Sequence, residues 1–323
     1  MKVDFLPSER FSVAPMVDVT TSAFRRACRL YTKKAMLYTE MIAADAITHG
    51  KLQLLDFDQC EPPVTLQLGG SDPAALAFAA KCGERAGYAT LNLNAGCPSD
   101  KVQSGSFGAV MMKDPKHLAQ CFKAMNEAVD LPVSVKTRIG VDDLDSVEFT
   151  HELIGTLYDA GCRHVIVHAR KCWLSGLSPK ENRSVPPLDY ERVWDLKKVF
   201  PKLRVTINGG ITSITDCLMH LEHTDGVMLG RACIDDPYLM ASVDSEIFGD
   251  EGVVLSREQI FEKAIVLCEN YVKEGGRFRH MGQHFLNLFA SCNGARRYRR
   301  YLSEHLGEDD ARAVLKKAYS CLL

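Results

Sequence analysis

The chain has 323 residues, of which 46% are hydrophobic and 25% are charged, the balance of a soluble globular protein with one large domain or two ordinary ones. Its 39 Lys and Arg residues and 41 Asp and Glu residues give a net charge of −2, which excludes a globally basic nucleic-acid coat but leaves room for a local basic patch. No run of 18 apolar residues and no apolar signal core occur, so neither a membrane span nor a secretory signal is expected.

The twelve cysteines are scattered through apolar stretches and include no Cys-x-x-Cys pair. This spacing argues against a disulfide framework, a zinc ribbon or a thioredoxin site. We therefore expect a reducing, cytoplasmic setting, most cysteines as small buried side chains, and no metal site.

Short apolar or β-branched runs recur along the first 230 residues and are predicted to be strands. They lie at residues 11–14, 36–39, 64–68, 90–93, 133–136, 164–168, 204–207 and 226–229. Helical patterns separate most of them, and Asp72, Asp114 and Ser213 stand at expected helix N-caps. Eight such units favour a closed (β/α)8 TIM barrel over an open sheet.

Nearly every predicted strand ends in a residue that is capable of chemistry. The residues at or after these ends are Pro15, Met16, Glu40, Gln67, Asn94, Lys136, His168, Asn208 and Arg231. Because the C-terminal strand ends of a TIM barrel form its active face, the pattern predicts one site that draws on many strands.

Beyond about residue 240 only helical patterns occur, at residues 256–275, 281–289, 296–306 and 309–322. We therefore expect a barrel domain over residues 1–240 and a small helical domain over residues 241–323.

Two glycine-containing turns close the seventh and eighth predicted strands, Asn208-Gly209-Gly210 and Gly230-Arg231. The loops after these strands hold phosphate in many barrels, since glycine lets backbone N–H groups approach an anion and Arg231 adds a charged contact. The alternative is a pair of ordinary tight turns. No GxGxxG or Walker A sequence is present, so a phosphate-bearing cofactor would be bound by the loops that follow the barrel strands.

Lys136, at the end of the fifth predicted strand, admits three interpretations. It could form a Schiff base, place positive charge beside a flavin ring, or make a structural ion pair with Glu40.

Cys97 differs from the other cysteines because Gly96 and Pro98 flank it in a predicted exposed loop. Such a thiol is a candidate proton donor or nucleophile, the alternative being an ordinary loop cysteine. Gly105 and Gly108, farther along the chain, suggest a mobile loop that closes over substrate.

Taken together, these segments resemble the tRNA-dihydrouridine synthases, which are flavin-dependent (β/α)8 enzymes. The matching stretches are residues 14–16, 37–41, 67–69, 91–98, 135–138, 167–170, 208–210 and 299–304. A longer signature at residues 173–183, continued at 186–190, is similar to the bacterial A subfamily. The Asn-x-Gly-Cys-Pro element that contains Cys97 is the most specific of these matches.

The resemblance implies bound FMN, NADPH as reductant with NADH as an option, and reduction of the C5–C6 double bond of uridines 20 and 20a in the tRNA D-loop. It implies hydride transfer to C6 and a proton from Cys97 to C5. The residues it assigns to the cofactor are Pro15, Met16, Val17, Gln67, Lys136, His168, Asn208, Gly209, Gly210, Gly230 and Arg231. A monomer without a protein partner is expected.

The substrate side is expected to be basic. Asn94 is assigned to orienting the base, and Arg138, Lys180 and Arg183 to contacts with substrate. In the helical region, Arg296 and Arg299 fall on one predicted helix face and would grip RNA backbone, with Tyr298 available for stacking on a base. The alternative for this face is an ordinary solvated surface.

Two other functions share parts of this pattern. A free-pyrimidine flavoprotein such as a dihydroorotate dehydrogenase would need the barrel but not the arginine-rich helices. A catalytically inactive RNA-binding protein would need the helices but neither Cys97 nor Lys136.

Overall fold

The structure is a computed structural model that describes residues 5–99 and 105–322. Eight parallel strands form a closed barrel in chain order, and the eighth pairs with the first. The strands are β1 Phe11–Val13, β2 Met36–Ala43, β3 Val64–Gly69, β4 Thr90–Asn94, β5 Val133–Arg138, β6 His164–His168, β7 Arg204–Asn208 and β8 Gly226–Leu229. The predicted (β/α)8 barrel is confirmed.

Each observed strand overlaps one predicted run, and the largest difference is in β2. This strand continues to Ala43 because its register with β3 shifts between Tyr38 and Met41. Glu40 therefore lies within the strand rather than at its end, and its carboxylate accepts the backbone N–H of Asp18 at 2.6 Å. The expectation that Glu40 ends its strand is wrong.

Helices cover the outside of the barrel. They are α1 Ser22–Cys28, α2 Ala44–Thr48, α3 Pro73–Ala86, α4 Pro115–Ala128, α5 Val147–Asp159, α6 Tyr190–Val199, α7 Ile214–Leu221, α8 Ala232–Asp235 and α9 Val243–Glu246. The three predicted N-caps are confirmed: the side chains of Asp72, Asp114 and Ser213 each accept a backbone N–H of the first turn. Short 3-10 turns lie at Pro7–Arg10, Leu52–Leu55, Gly108–Lys113, Glu181–Arg183 and Pro237–Ser242.

Strand residues alternate between the helical layer and the barrel interior. Leu66 and Leu91 face α3, where a Cβ built on Gly83 would come within 2.5 Å of Leu66. Glycine at this position lets the helix approach the sheet closely. Thr65 faces the barrel axis, where its hydroxyl lies 2.7 Å from that of Thr90.

The C-terminal segment consists of α10 Arg257–Lys273, α11 Phe278–Gly282, a 3-10 turn at Gln283–Phe285, α12 Ala295–His305 and α13 Ala311–Ser320. The helix expected near residues 281–289 begins earlier, at Phe278, and its α-helical part ends at Gly282, a residue of low helix propensity, so the expected bounds are wrong. The chain beyond it is held instead by contacts to the barrel: the Asn287 amide donates to the carbonyl of Ile234 at 2.8 Å.

Charged side chains add to the contact between the C-terminal helices and the barrel. Arg26 of α1 forms a salt bridge with Glu274 at 2.9 Å. Arg257 of α10 donates to the carbonyl of Leu288, lies near Asp236, and stacks over the ring of Tyr238. These contacts fasten the C-terminal helices to α1 and to the segment that follows β8. Within residues 5–99 and 105–322, no helix combines the length and apolar character needed to cross a membrane.

Candidate active site

A cavity of about 690 Å³ opens at the C-terminal ends of the strands. Every strand contributes to its wall, either directly or through the residue that follows it. These wall residues are Ala14, Met41, Gln67, Asn94, Lys136, His168, Asn208 and Met228. The prediction that the strand ends converge on one site is therefore confirmed in its geometry.

Most of the residues singled out from the sequence line this one cavity. They are Pro15, Met16, Val17, Gln67, Asn94, Cys97, Lys136, Arg138, His168, Arg183, Asn208, Gly209, Gly210, Gly230 and Arg231. Lys180, Arg296 and Arg299 are exposed and do not belong to the described lining. Residues 100–104 lie outside the described residues.

The cavity also contains residues that sequence reasoning did not select. Met41 reaches it through the extended β2, and Asp235 through the short helix α8. Asp235 is the one carboxylate among the described lining residues, against basic side chains at Lys136, Arg138, Arg183 and Arg231. The excess of positive charge fits a ligand that carries an anionic group.

Lys136 donates from Nζ to Oδ1 of Asn208 at 3.1 Å. Among the described residues no carboxylate pairs with it, so the ion pair considered with Glu40 does not form. Burial and, secondarily, the nearby Arg138 guanidinium lower the pKa of Lys136 to about 7. Such a lysine gains stabilisation when an anionic ligand enters the cavity.

His168 lies beside Lys136 in the cavity wall. Its Nδ1 accepts the backbone N–H of Arg170 at 3.2 Å, so in the neutral ring the proton resides on Nε2. Burial, reinforced by the charges of Arg138 and Lys136, lowers the pKa of His168 well below its ordinary value. At neutral pH this imidazole is an uncharged hydrogen-bond donor.

The turn after β7 needs its glycines for reasons that lie within the protein. Gly209 and Gly210 have φ values of +113° and +73°. A Cβ on Gly209 would lie 3.0 Å from the His168 ring, and one on Gly210 would lie 2.5 Å from Leu188. The Tyr190 hydroxyl donates to the carbonyl of Gly209 at 3.0 Å, which fixes the turn from the outside.

The turn after β8 is less crowded. A Cβ on Gly230 would meet Met16 and Ala14 at 3.6 and 3.7 Å, which are ordinary contact distances. Arg231 precedes α8, lines the cavity, and donates from Nη2 to the carbonyl of Arg183 at 3.0 Å. One guanidinium thus contacts both the cavity and the long loop between β6 and α6.

Cys97 is half-buried, and the loop that carries it is held at several points. The backbone N–H groups of Gly96 and Cys97 both donate to Asn94 Oδ1, at 3.2 and 3.1 Å. The carbonyl of Cys97 accepts the N–H of Ala109 at 2.9 Å. The thiol is therefore presented to the cavity by an ordered backbone.

Arg138 contributes most of its donors to backbone carbonyls. Its Nε donates to Gly96 at 2.9 Å, and its Nη1 to Lys171 at 3.1 Å and to Asn182 at 3.0 Å. It is only 4% exposed. The side chain therefore ties the Cys97 loop to the loop that follows β6.

Asn182 organises the second of these loops from within. Its amide donates to the carbonyls of Trp173 and Leu177, at 2.9 and 3.1 Å, and accepts the N–H of Trp173 at 2.8 Å. From the sequence, Asn182 was recognised only as part of the signature at residues 173–183, because its full burial depends on how the loop folds.

The basic helix of the C-terminal segment is α12. Arg296, Arg299 and Arg300 are exposed on it, and Arg300 pairs with Glu304 at 3.1 Å. The expectation that Tyr298 is free to stack on a base is wrong. Its ring is fully buried, packed edge-on against neighbouring aromatic rings, and its hydroxyl donates to the carbonyl of Phe285.

Comparison with known proteins gives concordant results. Residues 12–322 match the family model described as Dihydrouridine synthase (Dus). The chain is 49% identical over 310 residues to the tRNA-dihydrouridine(20/20a) synthase of Shewanella oneidensis, covering 96% of this chain and 92% of that protein. It is 50% identical over 300 residues to the protein of the same name from Escherichia coli, covering 93% and 91%.

A solved structure shows the same fold at much lower identity. The 2-naphthoyl-CoA reductase, in complex with 2-naphthoyl-CoA, matches with a TM-score of 0.59 and 11% identity, covering 96% of this chain and 67% of that one.

Proposed function

The chain belongs to the dihydrouridine synthase family, and from that premise we propose that it reduces uridines of tRNA to 5,6-dihydrouridine, at positions 20 and 20a of the D-loop. One observation carries the proposal: a single cavity brings Cys97 together with Lys136, His168 and the turns after β7 and β8. Neither alternative function requires both this combination and an exposed arginine helix in one chain.

The cavity fits FMN as cofactor. Its volume of about 690 Å³ lies within the range of small-molecule sites, and its cations outnumber its one described carboxylate. We assign the phosphate to the turns at Gly209 and Gly230 with Arg231, and the ring to Gln67, Lys136 and His168, together with Pro15, Met16, Val17, Asn208 and Gly210. When bound and reduced by NADPH or NADH, FMN supplies the hydride that uracil C6 accepts.

The protein's own groups handle the proton and the developing charge. Cys97 donates its Sγ proton to C5 of the base as a general acid. Lys136 and His168, the latter through its Nε2–H, stabilise negative charge that develops on the base or on the cofactor ring. Asn94 orients the base through its side-chain amide. The oxygen of the same amide holds the Cys97 loop by accepting the backbone N–H groups of Gly96 and Cys97.

Substrate binding requires a different surface. A stacked base cannot reach the cavity floor, so the target uridine must leave the folded tRNA. We assign Arg183, at the cavity, and Lys180, in the same loop, to the nearby RNA strand. Arg296 and Arg299 are assigned to phosphates farther away. On this proposal residues 1–240 form the FMN-binding catalytic domain, residues 241–323 the tRNA-binding domain, and one monomer binds one tRNA.

Two assays on the purified protein test this function. Flavin released by heat is identified by chromatography, and we expect FMN and not FAD. Unmodified tRNA is then incubated with the enzyme and NADPH, and dihydrouridine is mapped along the chain. Product at positions 20 and 20a supports the proposal. A colourless protein that FMN does not reconstitute, or turnover of free uracil or dihydroorotate in place of tRNA, contradicts it.

A further inference from the structure

A chain of side-chain hydrogen bonds runs from the barrel interior to the Cys97 loop. Asn94 Nδ2 donates to Gln67 Oε1 at 2.9 Å, and Gln67 Nε2 donates to Asn92 Oδ1 at 2.8 Å. Asn92 Nδ2 donates to Ser134 Oγ at 2.8 Å, and Ser134 donates to the carbonyl of Leu91 at 3.3 Å. Asn92 and Ser134 do not belong to the described cavity wall, whereas Gln67 and Asn94 do.

The direction of this chain is set at both ends by backbone groups that have only one possible role. At the cavity end, the N–H groups of Gly96 and Cys97 can only donate, so the Asn94 atom that they meet must be its oxygen. The Asn94 nitrogen then faces Gln67, so the Gln67 oxygen accepts from it. The Gln67 nitrogen in turn faces Asn92 and donates to its oxygen. At the inner end, the Leu91 carbonyl can only accept, so Ser134 donates to it and accepts from Asn92.

Because the chain is buried, loss of one of its hydrogen bonds costs free energy. Asn92 is fully buried, and Gln67 and Ser134 are 1% and 2% exposed, so water cannot replace a missing partner. If Asn92 reversed its amide, its NH2 group would face that of Gln67. A reversal of Gln67 would in turn present an NH2 group to Asn94, whose own reversal would withdraw the acceptor from Cys97. Loss or reversal of one hydrogen bond in this chain therefore disturbs the next one and, through Asn94, the Cys97 loop.

We propose that Asn92 and Ser134 are positioning residues that hold the Cys97 loop and orient the Gln67 and Asn94 amides so that each keeps one N–H for the cavity. An amide nitrogen carries two hydrogens, and the chain uses one on each. Ligand atoms that meet these two N–H groups are acceptors, as carbonyl oxygens of a pyrimidine or a flavin are. The catalytic part of this inference rests on the proposed function, whereas the part that concerns the loop does not.

Hydroxyl deletions in the barrel interior test the proposal. Ser134→Ala removes the acceptor of Asn92, while Thr206→Val removes a buried hydroxyl whose partner, His164, lies outside the chain. Hydrogen exchange of the Gly96 and Cys97 amides is the direct readout. We expect several-fold faster exchange in Ser134→Ala and no change in Thr206→Val. Unchanged exchange in Ser134→Ala, or equal acceleration in both variants, overturns the proposal.

Activity provides the second readout. In single turnover with tRNA, Ser134→Ala should be slower than the parent by about ten- to a hundredfold, the scale expected when reacting groups are displaced by about 1 Å. Thr206→Val should match the parent. A parent that makes no dihydrouridine refutes the proposed function alone, because the exchange measurement still decides the positioning role.

A second pair of variants covers the case in which Ser134→Ala does not fold. These variants are Ser134→Thr and Ser134→Val. The threonine and valine side chains have nearly the same shape, and only threonine keeps the hydroxyl. Slower exchange at Gly96 and Cys97 in the threonine variant than in the valine variant supports the proposal. Equal rates in the two variants overturn it.

Discussion

The amine of Lys136 donates to the side-chain oxygen of Asn208 at 3.1 Å, and no carboxylate among the described residues shares it. With a pKa lowered to about 7, this lysine opposes folding when it is protonated in the absence of ligand.

Lys136→Met should therefore stabilise the cofactor-free protein below about pH 7. In the parent the folded pKa lies below the unfolded one, so the unfolded chain binds more protons and the parent gains stability as the pH rises above 7. The advantage of the variant should shrink accordingly between pH 7 and 10. Denaturant unfolding at pH 6 and pH 9 measures this. A constant difference across that range contradicts the assigned pKa.

Reduction of bound FMN by NADPH should be accompanied by proton uptake at pH 8. Hydride transfer places a negative charge on the flavin ring, which raises the pKa of Lys136, and this amine is largely neutral at that pH before reduction. A pH indicator in weakly buffered solution counts the protons. Lys136→Met is the control and should lose the uptake. If bound FMN is reduced in the parent with no proton change, the lysine is not the group that meets the charge of the reduced ring.

Cys97→Ala should keep FMN and tRNA binding but lose dihydrouridine formation by roughly 10²–10⁴-fold, the usual contribution of a general acid. Reduction of the flavin by NADPH should continue at the parental rate, since the thiol acts on the base alone. The two half-reactions are measured separately by single turnover. Equal rates of parent and variant with tRNA would remove Cys97 from the mechanism.

Arg138→Lys should destabilise the protein by about 2–3 kcal/mol, because a lysine cannot serve three carbonyls from one planar group. The loops that contain Cys97 and Asn182 should then be cleaved faster by protease under native conditions. Arg163→Lys is the matched control, since Arg163 bonds to carbonyls away from the cavity lining. Similar cleavage at these loops in both variants would contradict the tethering role.

Replacing Arg296 and Arg299 together with alanine should weaken tRNA binding. Two lost phosphate contacts should lower the slope of log affinity against log salt by about 1.5. FMN content and flavin reduction should not change. Arg300→Ala is the control, because Arg300 is already paired with Glu304 on the same helix. Coincident salt dependences of the double variant and the parent would make this face an ordinary solvated surface.

The barrel was predictable because its determinants are local. Short apolar or β-branched runs marked each strand, and Asp72, Asp114 and Ser213 marked helix starts through contacts within one turn. The candidate site was predictable in outline, since parallel strands bring their ends to one rim.

What escaped prediction depends on contacts between distant segments. Tyr298 sits in an arginine run typical of an exposed face, yet it is fully buried and packs edge-on against two aromatic rings from other segments, Phe261 and Phe289. The roles of Asn182 and Arg138 arise from loops that meet only in the folded chain. Beyond Gly282 the chain is held by a tertiary contact, from Asn287 to the carbonyl of Ile234, that helical periodicity does not reveal.

Arg231 complicates genetic dissection of the phosphate end of the cavity. Because its guanidinium also supports the Arg183 carbonyl, a substitution at Arg231 perturbs the loop and the ligand site in one step, and the two effects cannot be separated afterwards. A substitution at Gly230 tests the ligand site more directly. A methyl group there meets Met16 and Ala14 only at ordinary contact distances, so Gly230→Ala narrows the pocket while leaving the surrounding protein in place.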